Sequence, residues 1–291
     1  MIVAAVMCLA GGTAWFQAHA TRQFFEPSRL LSRFPAEDAA VLSADFATLR
    51  RAGMLTESKG ALEADYKKFL DGTGFDYKRD LDSVTAAFSA SGNFFIARGR
   101  FDWKKLRAYV AQQGGSCYQD LCRMQGSTPE RHISFLPLRN DTIALAVSTN
   151  DLAAARMANP GQPVTGSIPA GPVWLSVPGS ELRQRNALPA GLRGMLTALQ
   201  STDRVVVTLQ PAGSGIEARM EASCKTTADA AVLASQLRIA TSSLRDALAA
   251  NKQDDELAVM LKSGTFDENG TRVTGRWPVQ KTLLDALTAG I

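Results

Sequence analysis

Histidine is nearly missing from this sequence: His19 and His132 are its two copies in 291 residues. A histidine-based metal site needs more than that. The four cysteines, Cys8, Cys117, Cys122 and Cys224, cannot make up a structural zinc set either. No metal and no other cofactor is therefore expected. His132 could serve Ser134 as a base, but no G-x-S-x-G elbow is present, and no S-x-x-K precedes the "KSG" that starts at Lys262. Phosphate loops are missing as well. "DGTGFD" and "AGSGIEA" hold G-x-G, yet neither continues as G-x-G-x-x-G behind a parallel strand, and there is no Walker sequence.

Charge is similarly unconcentrated. Lys and Arg number 32 against 28 acids, a net charge of +4 with no basic block. Without a block or basic–aromatic interleaving, nucleic acid is not an expected partner. Aromatic residues make up 7%, and most of them fall in the apolar phase of a strand or helix. That counts against a glycosidase, whose Asp/Glu pair works beside sugar-stacking rings. After residue 20, no run is apolar and long enough to span a bilayer.

What the sequence does have begins at its start. Residues 1–20, "MIVAAVMCLAGGTAWFQAHA", carry no Asp, Glu, Lys or Arg. An apolar run from Ile2 to Phe16 precedes Ala18-His19-Ala20, an A-x-A site. This reads as a cleaved signal peptide or, alternatively, an uncleaved membrane anchor, with a lipid anchor on Cys8 a weaker third reading. The expected location is periplasmic or at the outer face of the cytoplasmic membrane, with membrane association through residues 1–20. Cys117 and Cys122 flank "YQDL" near a hairpin end and are expected to form a disulfide in an oxidising compartment. The rival reading, a redox pair, lacks C-x-x-C spacing. Cys224, left over at a strand end, reads as a quiet thiol.

With 45% hydrophobic and 21% charged residues, a packed core follows. Residues 21–35 read as a tether ended by Pro35. Strand, cap and helix then recur: "VLSADFATLRRAGML" with Asp45 as cap, "IALAVSTNDLAAARM" with Thr149/Asn150, and "VWLSVPGSELRQR" with Gly179-Ser180. A longer unit recurs too. "DSVTAAFSASGNFFIARGRF" and "DRVVVTLQPAGSGIEARMEA" align without gaps at an offset of 121, setting Asp82 on Asp203 and Ala97-Arg98 on Ala218-Arg219. Each reads as two alternating strands around a glycine turn, Ser91-Gly92-Asn93 or Gly213-Ser214-Gly215. A helix follows each, capped by Asp102 or by Thr226/Thr227. A third hairpin turns at Asn269-Gly270 and leads to a helix around Lys281–Leu287. Extra strands are expected around 117–124, 131–138 and 142–148.

The expected fold is α+β: internally duplicated antiparallel β-hairpins flanked by helices, in two similar lobes. The first half covers residues 36–158 and the second 167–291, with a linker at 159–166 inside the Pro/Gly-rich "NPGQPVTGSIPAGP". The exported leader, "TGFDYKRDLDSV", "RGRFDWKKL" and the duplicated layout together resemble a group of exported or membrane-anchored bacterial proteins of unknown function, found among soil bacteria such as acidobacteria. The resemblance covers most of the chain after residue 35, and it implies no activity and no site residues.

The acids of "DGTGFDYKRDLDSV" are the remaining candidates. Starting at Asp71 or at Asp76, the calcium-loop template fails, at Phe75 and Lys78 respectively. The stretch reads as a helix-to-strand join, with Gly72 and Gly74 at the helix exit and Phe75 folding back. Asp76, Asp80, Asp82 and His132 are the residues most open to ligand binding. Ile133 and Phe135 are expected to face the core, which puts His132 and Ser134 on the opposite face. The acids "DDE" in 254–256 read as the start of a helix. The expected function is a non-catalytic envelope protein with a binding or assembly role, its partner an unknown protein or envelope component. The alternatives are a hydrolase of an envelope or extracellular substrate and a structural spacer. The crevice between the lobes is the default ligand site.

Overall fold

The computed structural model describes residues 27–35, 38–55, 64–162, 168–184, 197–212, 215–251 and 256–280. The leader, the first part of the tether and the helix expected around Lys281–Leu287 lie outside the described residues. Among these residues no helix is long and apolar enough to cross a membrane.

One antiparallel sheet of twelve strands holds the molecule together. In chain order the strands are β1 Ala40–Asp45, β2 Leu81–Ser89, β3 Gly92–Gly99, β4 Ser116–Tyr118, β5 Leu121–Gln125, β6 His132–Arg139, β7 Thr142–Ser148, β8 Val173–Pro178, β9 Arg204–Ala212, β10 Gly215–Ser223, β11 Thr265–Asn269 and β12 Arg272–Val279. The helices are α1 Pro27–Leu31, α2 Phe46–Arg51, α3 Ala64–Thr73, α4 Tyr77–Asp80, α5 Trp103–Gln112, α6 Gly179–Gln184, α7 Thr227–Asn251 and α8 Glu256–Leu261, with a 3-10 helix at Ala153–Ala158. Across the sheet the order is β11-β12-β10-β9-β8-β1-β2-β3-β7-β6-β5-β4. The two expected halves therefore meet edge to edge, through the antiparallel β1–β8 pair.

Alternation within strands makes the two faces different. One cross-strand row runs Cys117, Cys122, Phe135, Leu145, Phe95, Ala86, Leu42, Leu175, Val207, Met220, Gly275 and Phe266, with no polar side chain in twelve strands. Residues directly opposite share a face; helices cover its two ends, while Phe95, Leu42 and Leu175 at mid-sheet are half-buried. Leu106 and Val110 of α5 pack on one end, against Cys122, Phe135 and Ile143. Leu233 and Leu237 of α7 pack on the other, against Ala218, Met220, Val273 and Trp277. The opposite face changes character along its length. Its row runs Leu136, Ala144, Ile96, Thr85, Ser43, Trp174, Thr208, Arg219, Arg276 and Thr265. At the apolar end, α1 and the 3-10 helix close a second core that includes Met157, Phe94 and Ile96. At the other end Arg219, Arg276 and Thr265 are exposed.

The caps follow the sequence. Asp45 accepts from Thr48 N at 2.8 Å, Asp102 from Lys104 N and Lys105 N, and Thr226 Oγ1 from Asp229 N. The disulfide Cys117–Cys122 is present, with S–S 2.01 Å, and pins the three-residue edge strand β4 to β5. At the other edge, Arg238 of α7 donates to the Phe266 carbonyl at 3.0 Å, and Asp267 and Glu268 add charge. Both devices discourage edge-to-edge pairing.

Several expectations need correction. The end of the tether is packed rather than loose: the Arg33 guanidinium donates to the Met157 and Ala158 carbonyls at 3.0 and 2.7 Å. After β7 the helix is 3-10, because Asn150 accepts from Leu152 N two residues on and forms a local turn instead of an α cap. The β11–β12 loop is Gly270-Thr271, not Asn269-Gly270; Asn269 is the last paired residue, and Gly270 takes the positive φ of 59°. Gly179 is the first residue of α6 rather than its cap, and a methyl there would collide with the Thr202 carbonyl. Ser134 does lie on the face opposite Phe135, and that face is covered there too: the Ser134 hydroxyl accepts from Ala154 N of the 3-10 helix at 3.1 Å. The offset of 121 also slips. The pairs that close the two hairpin turns, Ser89–Gly92 and Ala212–Gly215, stand 123 residues apart (212 − 89 and 215 − 92). Counted from the turn, Asp203 takes the position of Asp80, not Asp82.

Candidate functional site

The acidic stretch is a structural junction. Gly74, at φ 70°, ends α3 with its N–H on the Leu70 carbonyl at 2.7 Å. Phe75 folds back onto Phe69, with ring centroids 6.2 Å apart. Asp76 then caps the four-residue α4 through Lys78 N and accepts from the Tyr66 hydroxyl at 3.2 Å. Burial, then the Asp76 charge, pushes the Tyr66 phenol up to about 12. Asp80 is nearly buried and receives Arg79 Nη2 at 2.7 Å, Arg100 Nη2 at 3.0 Å and Asp76 N at 3.0 Å. The Arg79 hydrogen bond leads in holding this carboxyl below the usual range; the Asp76 N–H and the two arginine charges add to it, while burial opposes.

These candidates do not converge. Asp76 and Asp80 meet, but Asp82 turns to Arg50 at 3.8 Å. His132 starts β6, which β7 and β3 separate from β2. The Ser134 hydroxyl, its one-time serine partner, is engaged with Ala154. Cys224 is buried, and burial pushes its thiol up, with Asp229 and Asp203 adding to that, so thiolate chemistry is disfavoured. Among the described residues no group of three or more His, Cys, Asp or Glu is arranged to hold a metal ion.

A different feature has the shape of a site. Where β3 gives way to α5, an open groove of about 670 Å³ is lined by Gly99, Arg100, Phe101, Asp102, Trp103, Asn140 and Asp141. Its two walls come from distant segments joined by β3–β7 pairing. Gly99 N donates to the Asp141 carbonyl at 2.8 Å, Trp103 Nε1 to the Asn140 carbonyl at 3.1 Å, and Arg98 Nε to Asp141 Oδ2 at 2.9 Å. The floor is braced from behind. Phe101 stacks on Phe75 at 5.1 Å and 11°, and stands 5.7 Å from Trp103. Such ring contacts hold side chains in place beyond what burial alone gives. Asp102 caps α5, its Oδ1 accepting from Lys104 N and Lys105 N at 3.1 Å. Arg100 is held by Asp80. Braced aromatic rings beside a carboxylate suit binding of a flat, donor-bearing group.

Neither Phe101, Trp103, Asn140 nor Asp141 was picked out from the sequence as a site residue. "GRFDW" and the Asn140-Asp141 turn were each visible, but nothing local says that they meet.

No protein-family model and no curated protein matches the sequence. Solved structures of the treponemal protein TP0453, in crystal forms I and III, superpose with a TM-score of 0.49. They are 11% and 12% identical to this chain, cover 90% of it, and are covered over 97% and 98% of their own length.

Proposed function

We propose that this is an exported, non-catalytic envelope protein that binds or helps assemble a protein or envelope component, without nucleic acid as a partner. The groove at the β3–α5 step carries the reading, since braced aromatic rings beside the Asp102 carboxylate offer a ligand a surface that a spacer does not need. The Cys117–Cys122 disulfide supports an oxidising compartment, periplasmic or at the outer face of the cytoplasmic membrane. The charge-free leader supports export by the same route.

The body is two copies of one unit sharing a sheet. Outward from the β1–β8 seam, the strands run β1-β2-β3-β7-β6 on one side and β8-β9-β10-β12-β11 on the other. In each copy the third strand feeds a long helix, and a later hairpin returns beside that strand. The Asp80 and Asp203 positions correspond: the Asp80 carbonyl accepts from Arg100 N, and Asp203 N donates to the Ser223 carbonyl. The same ancestry fits kinship with exported bacterial proteins of this layout.

The test has two arms. Immobilised wild-type protein retains an envelope component from extracts, and Trp103→Ala or Asp102→Asn releases it while circular dichroism is unchanged. In parallel, wild type is screened against hydrolase substrates alongside His132→Ala, Asp76→Asn, Asp80→Asn and Asp82→Asn. Turnover by wild type that one of these abolishes, in a folded protein, would overturn the binding reading.

A further inference from the structure

Arg219 of β10 and Arg276 of β12 stand directly opposite each other on the open face of the sheet, and both are exposed. Neither guanidinium makes a hydrogen bond or ion pair to a described residue. The acids near them are turned elsewhere: Glu221 pairs with Arg272 at 3.3 Å, and Glu217 accepts from the Gln210 amide at 3.3 Å. Asp267 stands on the same face opposite Thr274, one row from Arg276.

Like charges at directly opposed positions destabilise a sheet. Arginine cannot relieve the repulsion by losing its proton. Opposed side chains start about 5 Å apart at Cβ, so two forked guanidinium groups can close on one tetrahedral oxyanion between them. The row continues outward to Thr208 on β9, whose hydroxyl donates to the Arg219 carbonyl at 3.4 Å, and to Thr265 on β11. We propose that Arg219 and Arg276 form a binding site for a phosphate group. This site lies on the sheet face away from α7, and stands or falls separately from the groove.

The experiment uses the full chain in low-salt, phosphate-free buffer, with inorganic phosphate as the probe. Phosphate is expected to raise the melting temperature of wild type, with the apparent affinity falling about tenfold in Arg219→Gln and in Arg276→Gln. Arg107→Gln, on α5, keeps the wild-type response. Without phosphate, each Gln variant melts no lower than wild type, since repulsion is relieved. Sedimentation with phosphatidylcholine vesicles, with and without phosphatidic acid, separates the sources of the group. Arginine-dependent binding to phosphatidic acid vesicles assigns it to a headgroup, and a response to free phosphate alone assigns it to a soluble ligand. An equal phosphate response in the double variant is general salting-out stabilisation and overturns the proposal. So does a wild type that responds to neither probe, or a Gln variant that melts lower in phosphate-free buffer.

Discussion

The Asp80 carboxylate and the Arg100 guanidinium meet at 3.0 Å, tying the end of α4 to the residue that follows β3. Arg100 also lines the groove, so an acid that reads as a ligand candidate serves instead as its support. Asp80→Asn is expected to lower stability at pH 7 by about 1–3 kcal/mol, the usual worth of hydrogen bonds to a charged group. The folded-state pKa of Asp80 is depressed, so its contribution is complete above the unfolded value, about 3.9, and fades as pH falls from there through the folded value. Urea melts at pH 7 and pH 3 measure this: the gap between wild type and variant narrows at the lower pH. An equal gap at both would remove Asp80 as its source.

Gly99 sits at the same junction, with its Cα facing the Asp80 carbonyl and the Leu81 backbone. A methyl group there meets backbone rather than a movable side chain. Gly99→Ala is expected to cost about 1–3 kcal/mol through overpacking, and to shift the groove wall with it. Gly53→Ala is the contrasting case: φ is 68° but nothing lies nearby, so backbone strain alone, about 1 kcal/mol, is expected. Thermal melts of the two variants rank them.

Local chemistry was readable in the sequence; its assembly was not. Asp45, Asp102 and Thr226 each cap the following helix as their side chains dictate. The Cys117–Cys122 pair and the β2–β3 hairpin are contacts between near neighbours in the chain. The β3–β7 and β1–β8 pairings join distant segments that carry equally plausible apolar alternation, so no residue announces its partner. Ser134 falls opposite Phe135 as alternation predicts, but alternation does not show that the 3-10 helix covers that face as well. The α4 helix, four residues long, is too short to show a period.

At alkaline pH the sensitive group is Tyr66. Its folded-state value, about 12, lies above the ordinary value of 10.0. Stability tied to the protonated phenol is therefore complete below pH 10 and fades as pH rises toward 12. Absorbance titration of wild type should include a late tyrosinate step, and Tyr66→Phe should remove it. A late step that persists in Tyr66→Phe belongs to Tyr77 or Tyr109, whose phenols burial also raises.

Reduction of the disulfide should be mild. Cys117 and Cys122 close a loop with a sequence separation of 5, for which chain entropy gives about 2 kcal/mol. The double variant Cys117→Ser/Cys122→Ser should stay folded and fray at β4 alone. Hydrogen exchange is the readout: faster exchange confined to β4 and β5 is expected, and loss of protection in β6 or β7 would mean that the bond holds more than an edge.

The β1–β8 seam decides whether the two halves unfold together. Leu42 faces Leu175 across it, and Ala86 and Val207 continue the row to either side. Leu42 is half-buried, and a charge there would stand on an apolar row with no partner, at a cost of about 1–3 kcal/mol. Because β1 bonds to β2 and to β8, the damage reaches both halves. Leu42→Asp is therefore expected to lower a single cooperative transition and to speed hydrogen exchange in β2 and β9 alike. If calorimetry instead resolves two transitions, and Leu42→Asp moves one of them alone, the halves are separate folding units that merely share an edge.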